Sequence, residues 1–264
     1  MYNINSVFIA GILFVSMVLA IEMGYRLGVK AQPSANEAFK SHVNTVGASI
    51  LGILALLLGF TFSISLQRFD SRNQAVVEEA NAIGTTYLRS QLLPTSVRSD
   101  VQQLLREYLD LRVQASAISL DEQAEREMLL TKAKHMQTVL WGYAQQAAEE
   151  EPNPVTTGLF IQSLNELIDN FGKRNAALNR HVPEVVLLLL YGTFLMVGAV
   201  VGYGSGLGGY RISIATHIMV VLIMVLVFII IDLDRPRRGL IQVDRTSLIE
   251  LQVDIGADTH APLP

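Results

Sequence analysis

The chain has 264 residues, half of them hydrophobic, and a mean hydropathy of +0.36, which is too apolar for a soluble domain of this size. A net charge of −4 with no long basic run argues against a nucleic-acid partner. The absence of cysteine excludes disulfides, thiolate zinc sites and cysteine nucleophiles.

The apolar residues gather in four runs. A helix rises 1.5 Å per residue, so about 20 apolar residues cross a hydrocarbon core of roughly 30 Å. The first run, Val7 to Met23, has no Lys or Arg before it, which favours an uncleaved span over a secretory leader. It closes at Glu22, a carboxylate that belongs at headgroup level. The second run is Val43 to Leu66. No Pro or other breaker falls between Val43 and Leu93, which predicts one rod of about 50 residues, about 75 Å long, continuing beyond the membrane.

About 115 mostly polar residues with helical periodicity follow. Pro94, the stretch around Leu120 and Asp121, and Pro152-Asn153-Pro154 divide them into four pieces. Each piece carries an apolar seam: Val76, Ala80, Ile83, Tyr87; then Val97, Val101, Leu104, Tyr108, Leu111, Ala115; then Leu129, Ala133, Met136, Leu140, Tyr143, Ala147; then Phe160, Leu164, Leu167, Phe171. Four such seams can bury one another, which predicts a soluble antiparallel four-helix bundle inserted between spans two and three. The chain re-enters the membrane at Pro183, with span three at Val185 to Tyr203 and span four at Ile212 to Ile231.

The expected fold is therefore all-α. Residues 1–66 carry spans one and two, 67–181 the bundle, 182–234 spans three and four, and 235–264 a basic motif and C-terminal tail. Arg26, Lys30, Lys40 and Arg211 balance Arg235, Arg237, Arg238 and Arg245 across the membrane, so the positive-inside rule leaves the side of the bundle open.

One face of span two is nearly bare of side chain. Ala48, Gly52, Ala55, Gly59 and Ser63 recur at spacings of four, three, four and four, which holds them on one stripe. Gln67, Asp70, Gln74, Glu78 and Asn81 continue it in register, away from the Val76, Ala80, Ile83 seam. The stripe reads either as a close helix–helix contact of the small-xxx-small kind, its polar part a solvated face, or as the wall of a passage on a symmetry axis.

A second feature follows span four directly: Asp232-Leu233-Asp234-Arg235-Pro236-Arg237-Arg238-Gly239. Arginines at a membrane boundary ordinarily anchor to lipid phosphates, but a lipid anchor has no use for the interleaved acids. A network of Asp232 or Asp234 with Arg68 or Arg72 is the expectation, serving as a structural clamp or as a pore-mouth or ligand element.

The other candidates read as structural. His217 lies alone inside span four, and His42, His135, His181 and His260 lack the spacing of a helical metal site. Glu78 and Glu79 read as a solvated face rather than a cation site, and Gly204 to Gly209 as a tight connection rather than a phosphate loop. No catalytic residue, cofactor site or metal site emerges, so the reading is not that of an enzyme.

Several segments together resemble the bacterial membrane family labelled bestrophin-like, itself of unknown function. They are Leu58-Gly59-Phe60-Thr61-Phe62-Ser63, Arg68-Phe69-Asp70 with Arg72, Val77-Glu78-Glu79-Ala80-Asn81-Ala82-Ile83-Gly84 leading to Tyr87-Leu88-Arg89, Leu164-Asn165-Glu166 before Ile168-Asp169, and Asp232 to Gly239. True bestrophins are pentameric anion channels with a helical cytosolic region and a pore lined by the second transmembrane helix. The resemblance implies a pore role for span two and a cytoplasmic bundle. It does not bring anion selectivity, because Asp70 and Glu78 close the stripe with acids that attract cations, and Phe60 and Phe62 point away from the Gly59 and Ser63 side.

The functional expectation is an oligomeric, multi-pass inner-membrane protein acting as an ion channel or channel-like pore lined by span two. The rival is a non-conducting scaffold or sensor whose bundle binds a partner. The expected partners are the lipid bilayer, further copies of the chain and ions.

Overall fold

The computed structural model describes residues 6–118, 122–211, 213–235 and 241–258. Every regular element among them is helical. In chain order these are α1 (Ser6–Ala31), a short 3-10 turn (Gln32–Ser34), α2 (Glu37–Ser90), α3 (Thr95–Ala117), α4 (Gln123–Glu150), α5 (Thr157–Asn179), α6 (Glu184–Gly208), α7 (Ile214–Leu233) and α8 (Thr246–Asp258). Four of the helices are long and apolar enough to cross a membrane: α1, α2, α6 and α7.

The helix ends follow local chemistry. Pro94 and Pro183 stand at the N-caps of α3 and α6, where a missing N–H costs nothing. Ser213 caps α7 by accepting the N–H of Thr216 at 3.3 Å. Gly209 closes α6 with φ of 72°, a left-handed conformation that glycine adopts without strain. Span two has no internal stop, and α2 runs unbroken for 54 residues. Span one is longer than the apolar run suggests, because α1 continues past Glu22, which pairs with Arg26 at 2.6 Å one turn on.

The chain divides into two compact units, residues 1–68 with 181–241 and residues 69–180 with 242–264. The first has a largely apolar core and many large apolar side chains on its surface. Met17, Leu54, Leu58, Phe194 and Ile230 form its core, while Leu19, Leu56, Phe60, Leu188 and Leu222 are exposed. Large side chains on the outer surface are what a hydrocarbon solvent permits and water does not.

Within this unit α1 and α6 approach closely through glycines. A Cβ at Gly24 or Gly28 would collide with the backbone carbonyl of Ala199 or Tyr203, and one at Gly202 or Gly206 with that of Ile21 or Tyr25. Gly198, Gly202 and Gly206 recur every four residues, a small-xxx-small seam that brings two backbones together where lipid offers no hydrophobic drive.

The second unit has an ordinary buried core. Its seams lie where the periodicity put them: Ile83, Val101, Tyr108, Leu140, Phe160 and Leu164 are fully buried, with Leu104, Leu129 and Tyr143 packed against them. Helix α8 contributes Leu248 and Ile255 to the same core, with Leu251 at its edge. Asp244 opens α8 by accepting the N–H and hydroxyl of Thr246 at 2.9 and 2.6 Å, and Gln252 reaches Asp110 of α3 at 2.7 Å.

Candidate functional site

In the first unit, the small-residue stripe on α2 faces outward. Ala48, Gly52, Ala55, Gly59, Ser63 and Gln67 are all exposed, and no atom lies within 4 Å of a Cβ built on Gly52 or Gly59. Gly24 and Gly28 of α1 and Gly198, Gly202 and Gly206 of α6 are taken up by contacts inside the unit, whereas Gly52 and Gly59 of the α2 stripe meet open space. The positions Leu54, Leu58, Thr61 and Ser65 of α2 are buried within the unit, while Ile53, Leu56 and Phe60 place bulk on the outer surface beside the bare stripe.

In the second unit the polar continuation is also open. Asp70, Gln74 and Asn81 are exposed, and Glu78 is half-buried and accepts from Gln74 Nε2 at 3.2 Å.

The segment after span four is buried rather than spread on a surface. Asp232, Asp234 and Arg235 are 1%, 2% and 5% exposed. Both carboxylate oxygens of Asp234 accept the backbone N–H of Val182, at 3.0 and 3.1 Å, and His181 Nδ1 stands 3.1 Å from the Asp234 carbonyl. Asp232 Oδ2 accepts the N–H of Ile241 at 2.9 Å. Asp234 thus satisfies a backbone donor immediately before Pro183, where α6 begins. Among the described residues, Asp232 Oδ1, Arg68 Nη1 and Ser65 Oγ of this unit are buried without a hydrogen-bond partner. Arg72 belongs to the second unit, where it donates to the carbonyls of Ala177 and Arg180 at the end of α5, at 3.3 and 2.6 Å. Arg237 and Arg238 lie outside the described residues.

The sequence reading missed one charged constellation. Glu79, read as part of a solvated face with Glu78, is fully buried. Its Oε1 accepts Arg112 Nε at 2.7 Å, and its Oε2 accepts Arg174 Nη1. The Arg112 guanidinium also lies over the Phe171 ring, 4.7 Å from its centre. Beside it, the Tyr108 hydroxyl accepts from Gln137 Nε2 at 3.0 Å. Burial pushes the Glu79 carboxyl up, but the two guanidiniums more than reverse this and hold it below the usual carboxylate range. Burial raises the Tyr108 phenol well above its ordinary value. A signal was present: Glu79 is three residues after Val76, Arg112 four after Tyr108, and Arg174 three after Phe171, so all three occupy seam positions. His217, the lone span-four histidine, lies with Nδ1 2.9 Å from the Ser213 carbonyl one turn before it. Among the described residues no cluster of acids and histidines is arranged to hold a metal.

Comparison with known proteins agrees with this architecture. In structure the chain is similar to a bacterial bestrophin homologue from Klebsiella pneumoniae. One point-mutant crystal form superposes with a TM-score of 0.67 at 15% identity, covering 94% of this chain and 99% of that one. Another gives 0.63 at 16% identity, covering 93% and 99%. A crystal structure described only as a membrane protein gives 0.65 at 16% identity, covering 95% and 100%. No curated protein matches the chain significantly in sequence. The model of the bestrophin-like domain, however, matches residues 12–248, from within α1 to within α8. The chain therefore belongs to the bestrophin-like domain family.

Proposed function

We propose that copies of this chain assemble about an axis in the inner membrane, with the bare face of α2 lining a passage for ions. The observation that carries this reading is the stripe itself: from Ala48 to Gln67 every member is exposed, and Gly52 and Gly59 have open space where a side chain would stand. Bulky side chains would serve as well toward lipid. A face kept small suits either a close neighbour or a narrow lumen, and its continuation through Gln67, Asp70, Gln74 and Glu78 gives a lumen hydrogen-bonding and acidic groups. Similarity to bestrophins, whose second span lines a pore, supports the second use.

In this reading the helices between spans two and three form an antiparallel bundle beside the membrane, and the acids after span four clamp structure rather than bind ligand. The contacts of Asp234 with Val182 support that role. Bilayer recording of reconstituted protein tests the proposal, with Gly59→Trp as the probe. Wild type conducts and the variant blocks. A silent wild type, or unchanged conductance in the variant, rejects the passage. A monomer in native mass measurement favours the non-conducting scaffold or sensor.

A further inference from the structure

The core of the second unit holds more positive charge than it balances. Arg112 and Arg174 are always protonated at physiological pH, and both share the single carboxylate of Glu79. Their side chains are 2% and 3% exposed, and that of Glu79 is 0% exposed. Half-buried Arg126 lies close enough to feel both guanidiniums, which add to the burial that lowers its pKa. Each buried arginine also has an N–H that does not hold Glu79. Among the described residues, Arg112 Nη1 and Arg174 Nε are buried with no hydrogen-bond partner. Tyr108, one turn before Arg112, accepts from Gln137 and keeps its own hydroxyl proton to donate.

Uncompensated charge and orphaned donors in one apolar core are both costly. Water would satisfy the donors but leave the charge. An anion satisfies both, and a closed core admits only a small one.

We propose that a small monovalent inorganic anion of the halide class binds in this core, held by the N–H groups of Arg112 and Arg174 that do not engage Glu79. The site is independent of the α2 stripe and of whether that stripe conducts.

The test is thermal unfolding of the full chain in detergent, with ionic strength held constant while chloride replaces gluconate. The wild-type Tm rises saturably, by about 3 °C once chloride reaches roughly ten times its dissociation constant. Bromide reproduces the rise. Arg112→Gln and Arg174→Gln each remove a charge and one of these donors, and each abolishes the saturable increment. Glu79→Gln leaves both guanidiniums and removes the competing carboxylate, so the chloride midpoint falls by about tenfold. Equal wild-type Tm in both salts, or an increment that survives in both arginine variants, overturns the proposal and assigns the donors to water. Should the variants fail to fold, chloride NMR line broadening by the wild type decides. Saturable broadening with the same midpoint as the Tm rise supports the site, and its absence refutes it.

Discussion

Arg112 donates through Nε to Oε1 of Glu79 at 2.7 Å, although the two residues stand 33 positions apart and neither reaches solvent. The contact ties α3 to α2 through charge, and Arg174 brings α5 to the same carboxylate. Glu79→Gln removes the only anion in this trio and leaves two buried cations facing each other. The expected cost is about 3–5 kcal/mol, the range for breaking a buried pair from one side. A fall in the thermal midpoint of the solubilised protein measures it, and an unchanged midpoint contradicts it.

The same carboxylate sets a direction of pH dependence. Its folded pKa lies below the unfolded carboxylate value of about 4.3, so its stabilisation is fully present above that value. As pH falls through the folded value the carboxyl protonates and the contribution is lost. Unfolding curves recorded from pH 7 down to pH 3 should show a loss of stability at the acid end that is smaller in Glu79→Gln. Equal acid loss in the two proteins removes Glu79 from the account.

The spans were legible because about 20 consecutive apolar residues have few other uses, and the seams because spacings of three and four mark one helix face. The buried charges were not, since Glu79, Arg112 and Arg174 are types that ordinarily face water, and only their seam positions betray them. The α1–α6 contact was hidden for another reason. Gly198, Gly202 and Gly206 sit in the same kind of pattern as Gly52 and Gly59, and spacing alone does not say which small face is already occupied. Helix α8 escaped notice because its 13 residues offer only Leu248, Leu251 and Ile255 as a seam, too short to stand out from a polar tail. The stripe on α2 was readable as a pattern, but its exposure follows only from what packs on the other side.

Asp234 tests whether the acids after span four are structural. Asp234→Ala leaves the Val182 N–H, immediately before Pro183, without its carboxylate acceptor in a buried place. About 1–3 kcal/mol of stability should be lost. Asp234→Asn keeps a carbonyl oxygen and should recover most of it. Denaturant midpoints of the two variants compare them, and equal losses would show that charge rather than the hydrogen bond matters.

The two sets of glycines should respond oppositely to bulk. Gly202→Leu drives a side chain into the Ile21 carbonyl, and backbone cannot move aside as a flexible side chain can. Its cost should reach or exceed the roughly 1–3 kcal/mol of ordinary overpacking, seen as aggregation or a lowered Tm. Gly52→Leu meets open space, so the protomer should keep its stability to within about 0.5 kcal/mol. Its effect should fall instead on assembly, read as a changed mass in native measurement. Intact assembly in Gly52→Leu would mean that the stripe packs against no second copy.

The polar end of the stripe makes a statement about sign. Asp70 is exposed and Glu78 is half-buried beside Gln74, so a passage running along this face meets two carboxylates in every subunit. Carboxylate rings concentrate cations and repel anions, and the effect weakens as salt screens them over about 10 Å at 0.1 M. In reconstituted protein under a salt gradient, the reversal potential should therefore lie on the cation side, more so at low salt. Asp70→Asn combined with Glu78→Gln removes both charges while keeping their volumes, and should move the potential toward zero without abolishing current. A wild-type potential on the anion side would reject the acidic mouth. A double variant with an unshifted potential would place the selective part of the passage elsewhere, against the small residues between Gly52 and Ser63.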